Sequence, residues 1–110
     1  MINDEGKKFD QGKLDFSLVP VNAWKEIVSV LTFGKKKYGA DNWKYVADSS
    51  SRYYSAALRH VTAWREGEVI DKESGKAHLA HAICCLLFLL YTDLLVIQYD
   101  KQSKEEETND

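Results

Sequence analysis

Between residues 59 and 81 the chain gathers Arg59-His60, Glu66-Gly67-Glu68, Asp71, Glu73-Ser74-Gly75, His78 and His81, including all three of its histidines. Polar groups this dense at the end of an apolar helix need partners, and a bound ligand is one way to supply them. Asp71 and Glu73 stand two residues apart in a turn, while His78 and His81 share one helix face a turn apart. Oxygen and imidazole donors can therefore converge where that helix begins, with Glu66 and Glu68 near enough to join. The spacing is not HExxH and no cysteine is at hand, so a structural zinc site is poorly supported. A carboxylate-rich set suits Mg²⁺ or Mn²⁺, cations that are commonly shared with phosphate oxygens. The expected metal ligands are Glu68, Asp71, Glu73 and His78. Simpler roles exist for the same residues: Ser74 or Glu73 as a helix cap, Asp71 as a dipole counter-charge, His60 as a hydrogen-bonded core histidine.

Two further groupings could hold a nucleotide. Lys8, Asp10, Gly12 and Lys13 place cations around a small residue that permits close backbone approach, although the stretch is not a Walker loop. Lys35, Lys36 and Lys37 precede Tyr38, Asn42 and Trp43, which joins positive charge to an aromatic face and an amide. Solvated lysines and a core tryptophan are the competing interpretation.

The elements that must position these groups are helical. Residues 1–19 lack a helical period and form an extended, partly pinned arm. Pro20 suits a helix start, and Ala23, Trp24, Ile27, Val28 and Leu31 recur at helical spacing, which predicts a helix from about Val21 to Lys37. Gly39 ends it, and a loop holding Trp43 follows. Asp48-Ser49-Ser50-Ser51 offers caps for a second helix to about Glu66, with Tyr53, Ala56, Ala57, His60 and Trp64 as its inward stripe. A third helix is predicted from about Lys76 to Tyr99, and its apolar residues occupy nearly every face between Ala82 and Ile97. Three helices in one short chain do not cover such a surface, so a homodimer or homotetramer is expected. Residues 1–99 constitute one all-α domain, a small helical bundle, and the acidic tail 100–110 is expected to be solvated and disordered.

Charge and composition narrow the partners. The formal charge is −2, and with two lysines against five acids in the tail the body is left nearly neutral. That excludes the strongly basic face a nucleic-acid polymer requires, but a few placed lysines are enough for one small anion. Cys84 and Cys85 are adjacent in a helical run, point apart, and read as core thiols in a reducing compartment. The polar N-terminus has no secretory character, so a cytoplasmic location is expected. The Ala82–Ile97 run contains Thr92 and Asp93 and is short for a membrane span, so no membrane partner is expected.

In order along the chain stand Lys8-Phe9-Asp10-Gln11-Gly12-Lys13, Leu31-Thr32-Phe33-Gly34, Lys37-Tyr38-Gly39, Asn42-Trp43, Ala57-Leu58-Arg59-His60, Gly67-Glu68, Asp71-Lys72-Glu73-Ser74-Gly75 and His78-Leu79-Ala80-His81-Ala82. Over roughly residues 6–92 this succession resembles the phage-associated dATP/dGTP diphosphohydrolase (MazZ) N-terminal-domain family. The resemblance implies an all-α, MazG-like, oligomeric fold. It also implies a nucleotide pyrophosphohydrolase that splits dGTP or dATP into the monophosphate and pyrophosphate with Mg²⁺ or Mn²⁺. The usual MazG acids, ExxE on one helix and ExxD on the next, have no clear counterpart, because Arg59-His60 and His78-Leu79-Ala80-His81 take their places. A non-catalytic nucleotide-binding protein is therefore the alternative. For hydrolysis, the catalytic group would be Glu68, Asp71, Glu73 and His81, the last positioning water. Substrate would be held by Lys8, Asp10, Lys13, Lys37, Asn42, Trp43, Arg59 and His60.

Overall fold

The computed structural model describes residues 6–109 and contains three long helices. Residues 1–5 and 110, which belong to the expected arm and tail, lie outside it. Helix α1 is Val21–Tyr38, α2 is Ser49–Arg65 and α3 is His78–Asn109, with single 3₁₀ turns at Phe16–Leu18 and Asn42–Tyr45. Among the described residues there is no strand, only an isolated antiparallel bridge between Ile70 and Ala77. The all-α fold is thus as expected from the sequence.

Each helix ends for a local reason. At the end of α1, Gly39 takes φ 92° and returns its N–H to the Lys35 carbonyl, while Lys35, Lys36 and Lys37 oppose the negative end of the helix dipole. Helix α2 ends in a Schellman motif. The Gly67 N–H reaches the Trp64 carbonyl at 3.0 Å and the Glu68 N–H reaches that of Ala63 at 3.0 Å, with Gly67 at φ 107°. The start of α2 differs from expectation: Asp48 occupies the cap in a left-handed conformation and makes no side-chain cap bond.

The core is small. Val30, Ala80 and Cys84 are buried together, with Ile27, Leu31, Ala77 and Phe88 packed around them. Helices α1 and α2 both lie on the first half of α3, α2 more extensively. Tyr53, Ala56, Ala57 and His60 face inward on α2, whereas Trp64, expected in that stripe, is exposed, as are Trp24 and Val28 of α1. The arm from residue 6 to Pro20 is exposed throughout and its hydrogen bonds close local turns, so it is not pinned to the bundle.

Helix α3 continues to Asn109 where a disordered tail was expected beyond Tyr99. Residues 100–107 hold Lys, Gln and Glu, which are strong helix formers, and the segment prolongs the helix while remaining largely exposed. The apolar run is also longer in its helical setting than it looked alone. By length and composition α3 is able to cross a membrane, with an apolar window of mean hydropathy 2.1 that is only 22% buried. Leu90, Leu94, Leu95, Val96 and Ile97 are all exposed in the single chain.

Candidate functional site

The turn between α2 and α3 organises the site. After Gly67 the chain doubles back so that the His78 N–H donates to the Val69 carbonyl (2.9 Å) and the Asp71 N–H to that of Lys76 (2.8 Å). Within this loop the Asp71 carboxylate accepts from the Ser74 N–H at 2.9 Å and the Ser74 hydroxyl at 2.7 Å. Gly75, at φ 71°, returns its own N–H to the Asp71 carbonyl at 2.8 Å. A turn this fully bonded holds Asp71 firmly at the head of α3.

The three histidines meet there. His78 is buried, 5% exposed, with Nε2 2.7 Å from Glu68 Oε1 and Nδ1 2.9 Å from His60 Nδ1. His60 stacks on His81 with ring centroids 4.6 Å apart. His81 Nε2 lies 2.6 Å from Ser74 Oγ and 3.6 Å from Asp71 Oδ2. Donor bookkeeping assigns the protons. The Ser74 hydroxyl gives its single hydrogen to the acceptor-only Asp71 carboxylate, so His81 carries a proton on Nε2 and donates it to Ser74; His78 likewise donates from Nε2 to Glu68. With its proton committed to a carboxylate, Ser74 is a fixed strut, not an activated nucleophile.

Electrostatics follow the packing. Burial, reinforced by the neighbouring His81 and His78, holds His60 below its ordinary value. Burial does the same for His81, outweighing the opposing pull of Asp71. For Asp71, burial pushes upward but the two Ser74 hydrogen bonds and the nearby imidazoles prevail, leaving its carboxyl below the usual range. Glu68 is held low chiefly by its bond to His78. Near neutral pH the cluster therefore sets two carboxylates beside the neutral imidazoles of His60 and His81.

The ligand atoms of His60, Asp71 and His78 all lie within 4.8 Å of one another. Of the two cations expected, Mn²⁺ accepts such mixed imidazole and carboxylate donors, whereas Mg²⁺ prefers oxygens alone. The structure thus brings together His60, Glu68, Asp71, His78 and His81. Glu73 does not join them. It pairs with Lys37 on α1, which draws the Lys37 pKa upward, and His60 stands beside Asp71 and His78 where spacing had led Glu73 to be expected.

The remaining candidates lie elsewhere. No hydrogen bond or ion pair joins Lys8, Asp10 or Lys13 to the cluster among the described residues, and all three are exposed. Trp43 stacks on Phe88 at 4.4 Å and meets Tyr91 edge-on at 5.0 Å. It is an aromatic anchor on α3, two helical turns beyond His81, roughly 10 Å along the axis, and Asn42 beside it is exposed. Arg59 bonds Ser55 at 3.0 Å and lines an open trough on α2 with Leu58, Thr62 and Glu66, apart from the cluster.

A cleft of about 430 Å³ adjoins the cluster instead, lined by Lys25, Ser29, Thr32 and Lys36 of α1 and by Ser74 and Lys76 of the turn. Three lysines and three hydroxyls suit a phosphorylated ligand. Of these only Ser74 and the Lys35–Lys37 run drew notice in the sequence, yet a signal was present: residues 25, 29, 32 and 36 form a polar stripe on α1 beside its apolar one.

The family model described as "dATP/dGTP diphosphohydrolase, N-terminal" matches residues 3–103. The chain belongs to this family. It is also similar to a dATP/dGTP diphosphohydrolase of Salmonella phage PMBT28, 37% identical over 86 residues, which covers 78% of this chain and 29% of that relative. The chain thus spans under a third of the length of the relative it matches. No solved structure matches it. The matched stretch of this chain contains both the histidine cluster and the lysine cleft.

Proposed function

We propose that this chain binds a purine deoxynucleoside triphosphate and splits it into the monophosphate and pyrophosphate. The observation that carries the reading is the position of Ser74, whose hydroxyl is bonded within the Asp71–His81 cluster and whose side also lines the lysine cleft. A triphosphate lying along Lys25, Lys36 and Lys76 would present its α-phosphorus to the cluster across this residue. Water would attack that phosphorus as the bridge to the β-phosphate breaks, and the lysines would take up the charge of the departing pyrophosphate. His81, kept neutral by burial, has one basic nitrogen with which to orient and deprotonate the water. A divalent ion held by Asp71 and its imidazole neighbours would supply charge neutralisation at the phosphates. Support comes from family membership and from the name of the phage relative.

One observation favours a second reading, a module that retains intact nucleotide: the matched region is 29% of that relative, so turnover can reside in the remainder. Incubation with each dNTP and Mn²⁺ separates the two. Pyrophosphate release with a preference for dATP or dGTP, abolished in a Lys36→Ala, Lys76→Ala double variant, supports the enzyme. Stoichiometric retention of uncleaved nucleotide supports the module, and the absence of both refutes the nucleotide reading.

A further inference from the structure

We propose that His60, Asp71 and His78 form a site for a first-row divalent transition-metal ion and that Mg²⁺ is not its ion. The three donors come from three separate places, the middle of α2, the turn and the first residue of α3, and their ligand atoms converge within 4.8 Å. The facing Nδ1 atoms of His60 and His78 are 2.9 Å apart. Two nitrogens bound at right angles to one ion, each at about 2.1 Å, stand roughly 3.0 Å apart, so this pair already has the separation of adjacent ligands.

The surrounding bonds point the same way. Glu68 accepts the hydrogen bond of the His78 Nε2–H, the carboxylate–histidine arrangement that fixes a metal-binding tautomer, and leaves His78 Nδ1 as the acceptor of the His60 contact; an ion replaces the proton of that contact once His60 takes its Nε2–H tautomer. Both Ser74 bonds to Asp71 fall on Oδ2, leaving Oδ1 open to a cation. Two imidazoles and one carboxylate follow the Irving–Williams preference and leave further positions for water or a phosphate oxygen. Mg²⁺ demands a nearly complete oxygen octahedron that these donors do not provide. The biological use of the ion rests on the proposed function; its binding does not, and the test contains no nucleotide.

Tag-free, chelator-stripped protein is titrated with Co²⁺, monitored by visible absorption and calorimetry. The expected result is one ion per chain, undisturbed by a large excess of Mg²⁺, lost in His60→Ala and Asp71→Asn, weakened about 10- to 100-fold in Glu68→Gln, and retained in Glu73→Gln. Circular dichroism verifies that each variant is helical. On the unaltered chain, Zn²⁺ is expected to shift the Nδ1 resonances of two histidines in nitrogen NMR. Failure to take up Co²⁺, uptake that survives Asp71→Asn, displacement by Mg²⁺ at comparable concentration, or unmoved Nδ1 resonances would each overturn the site.

Discussion

At the scale of single residues, the neutral imidazoles of His60 and His81 give the cluster a pH signature. His60 and His81 are both held below their ordinary 6.5. An unfolded chain therefore binds more protons than the folded one as pH drops past that value. Stability is complete above the ordinary histidine pKa and is lost as pH falls through the lower folded values. Melting temperature should be flat just above neutrality and decline on acidification, and His60→Gln should flatten the acid limb; an unchanged acid limb in that variant would show that His60 is not responsible. Ser74 has a different role. Its hydroxyl serves Asp71, His81 and the Lys76 N–H at once, so Ser74→Ala should cost about 1–2 kcal/mol in urea unfolding and lower any pyrophosphate release further than the stability loss explains. That Asp71, His78 and Glu68 lie close together was legible in their spacing, because short-range turn geometry governs them. The separation of Glu73 from them was not legible, since that side chain pairs with Lys37, 36 positions away, a contact no local pattern encodes.

At the scale of elements, the turn from Gly67 to Ala77 is what converts three helices into a site. Gly67 sits at φ 107° with open space where a Cβ would go, whereas Gly34 lies inside α1 with equal room and no such backbone requirement. Gly67→Ala should therefore destabilise by about 1 kcal/mol or more through the backbone alone, and Gly34→Ala should stabilise by about 0.5–1 kcal/mol. Equal shifts in the two denaturation midpoints would contradict this account. The three helices were legible because apolar residues recur at helical spacing, and the Gly39 and Gly67 stops because glycine alone tolerates those angles. The end of α3 was not, since a run rich in lysine and glutamate satisfies both a solvated coil and an exposed helix. Trp43 was ambiguous for a related reason: aromatic rings serve cores and base-stacking alike, and only the position of Phe88 decides.

At the scale of the whole molecule, the single chain is open. Its radius of gyration is 19.3 Å, against about 13 Å for a compact domain of this length. Helix α3 alone runs roughly 48 Å, and its second half leaves leucine, valine and isoleucine in solvent. Such a surface requires a cover. Light scattering on detergent-free protein should give at least twice the 12.6 kDa chain mass, and Leu94→Glu with Ile97→Glu should lower it. A stable monomer would reject self-association, and a requirement for detergent would place α3 in a bilayer. The same openness gives the two cysteines an experimental use. Cys84 donates its thiol to the Ile27 carbonyl at 3.6 Å beneath α1, and burial pushes its pKa up to about 12. It is therefore inert to alkylation until α1 lifts from α3. The maleimide labelling rate of Cys84, separated from that of Cys85 by peptide mapping, consequently becomes an intrinsic clock for that breathing motion, readable without an engineered probe.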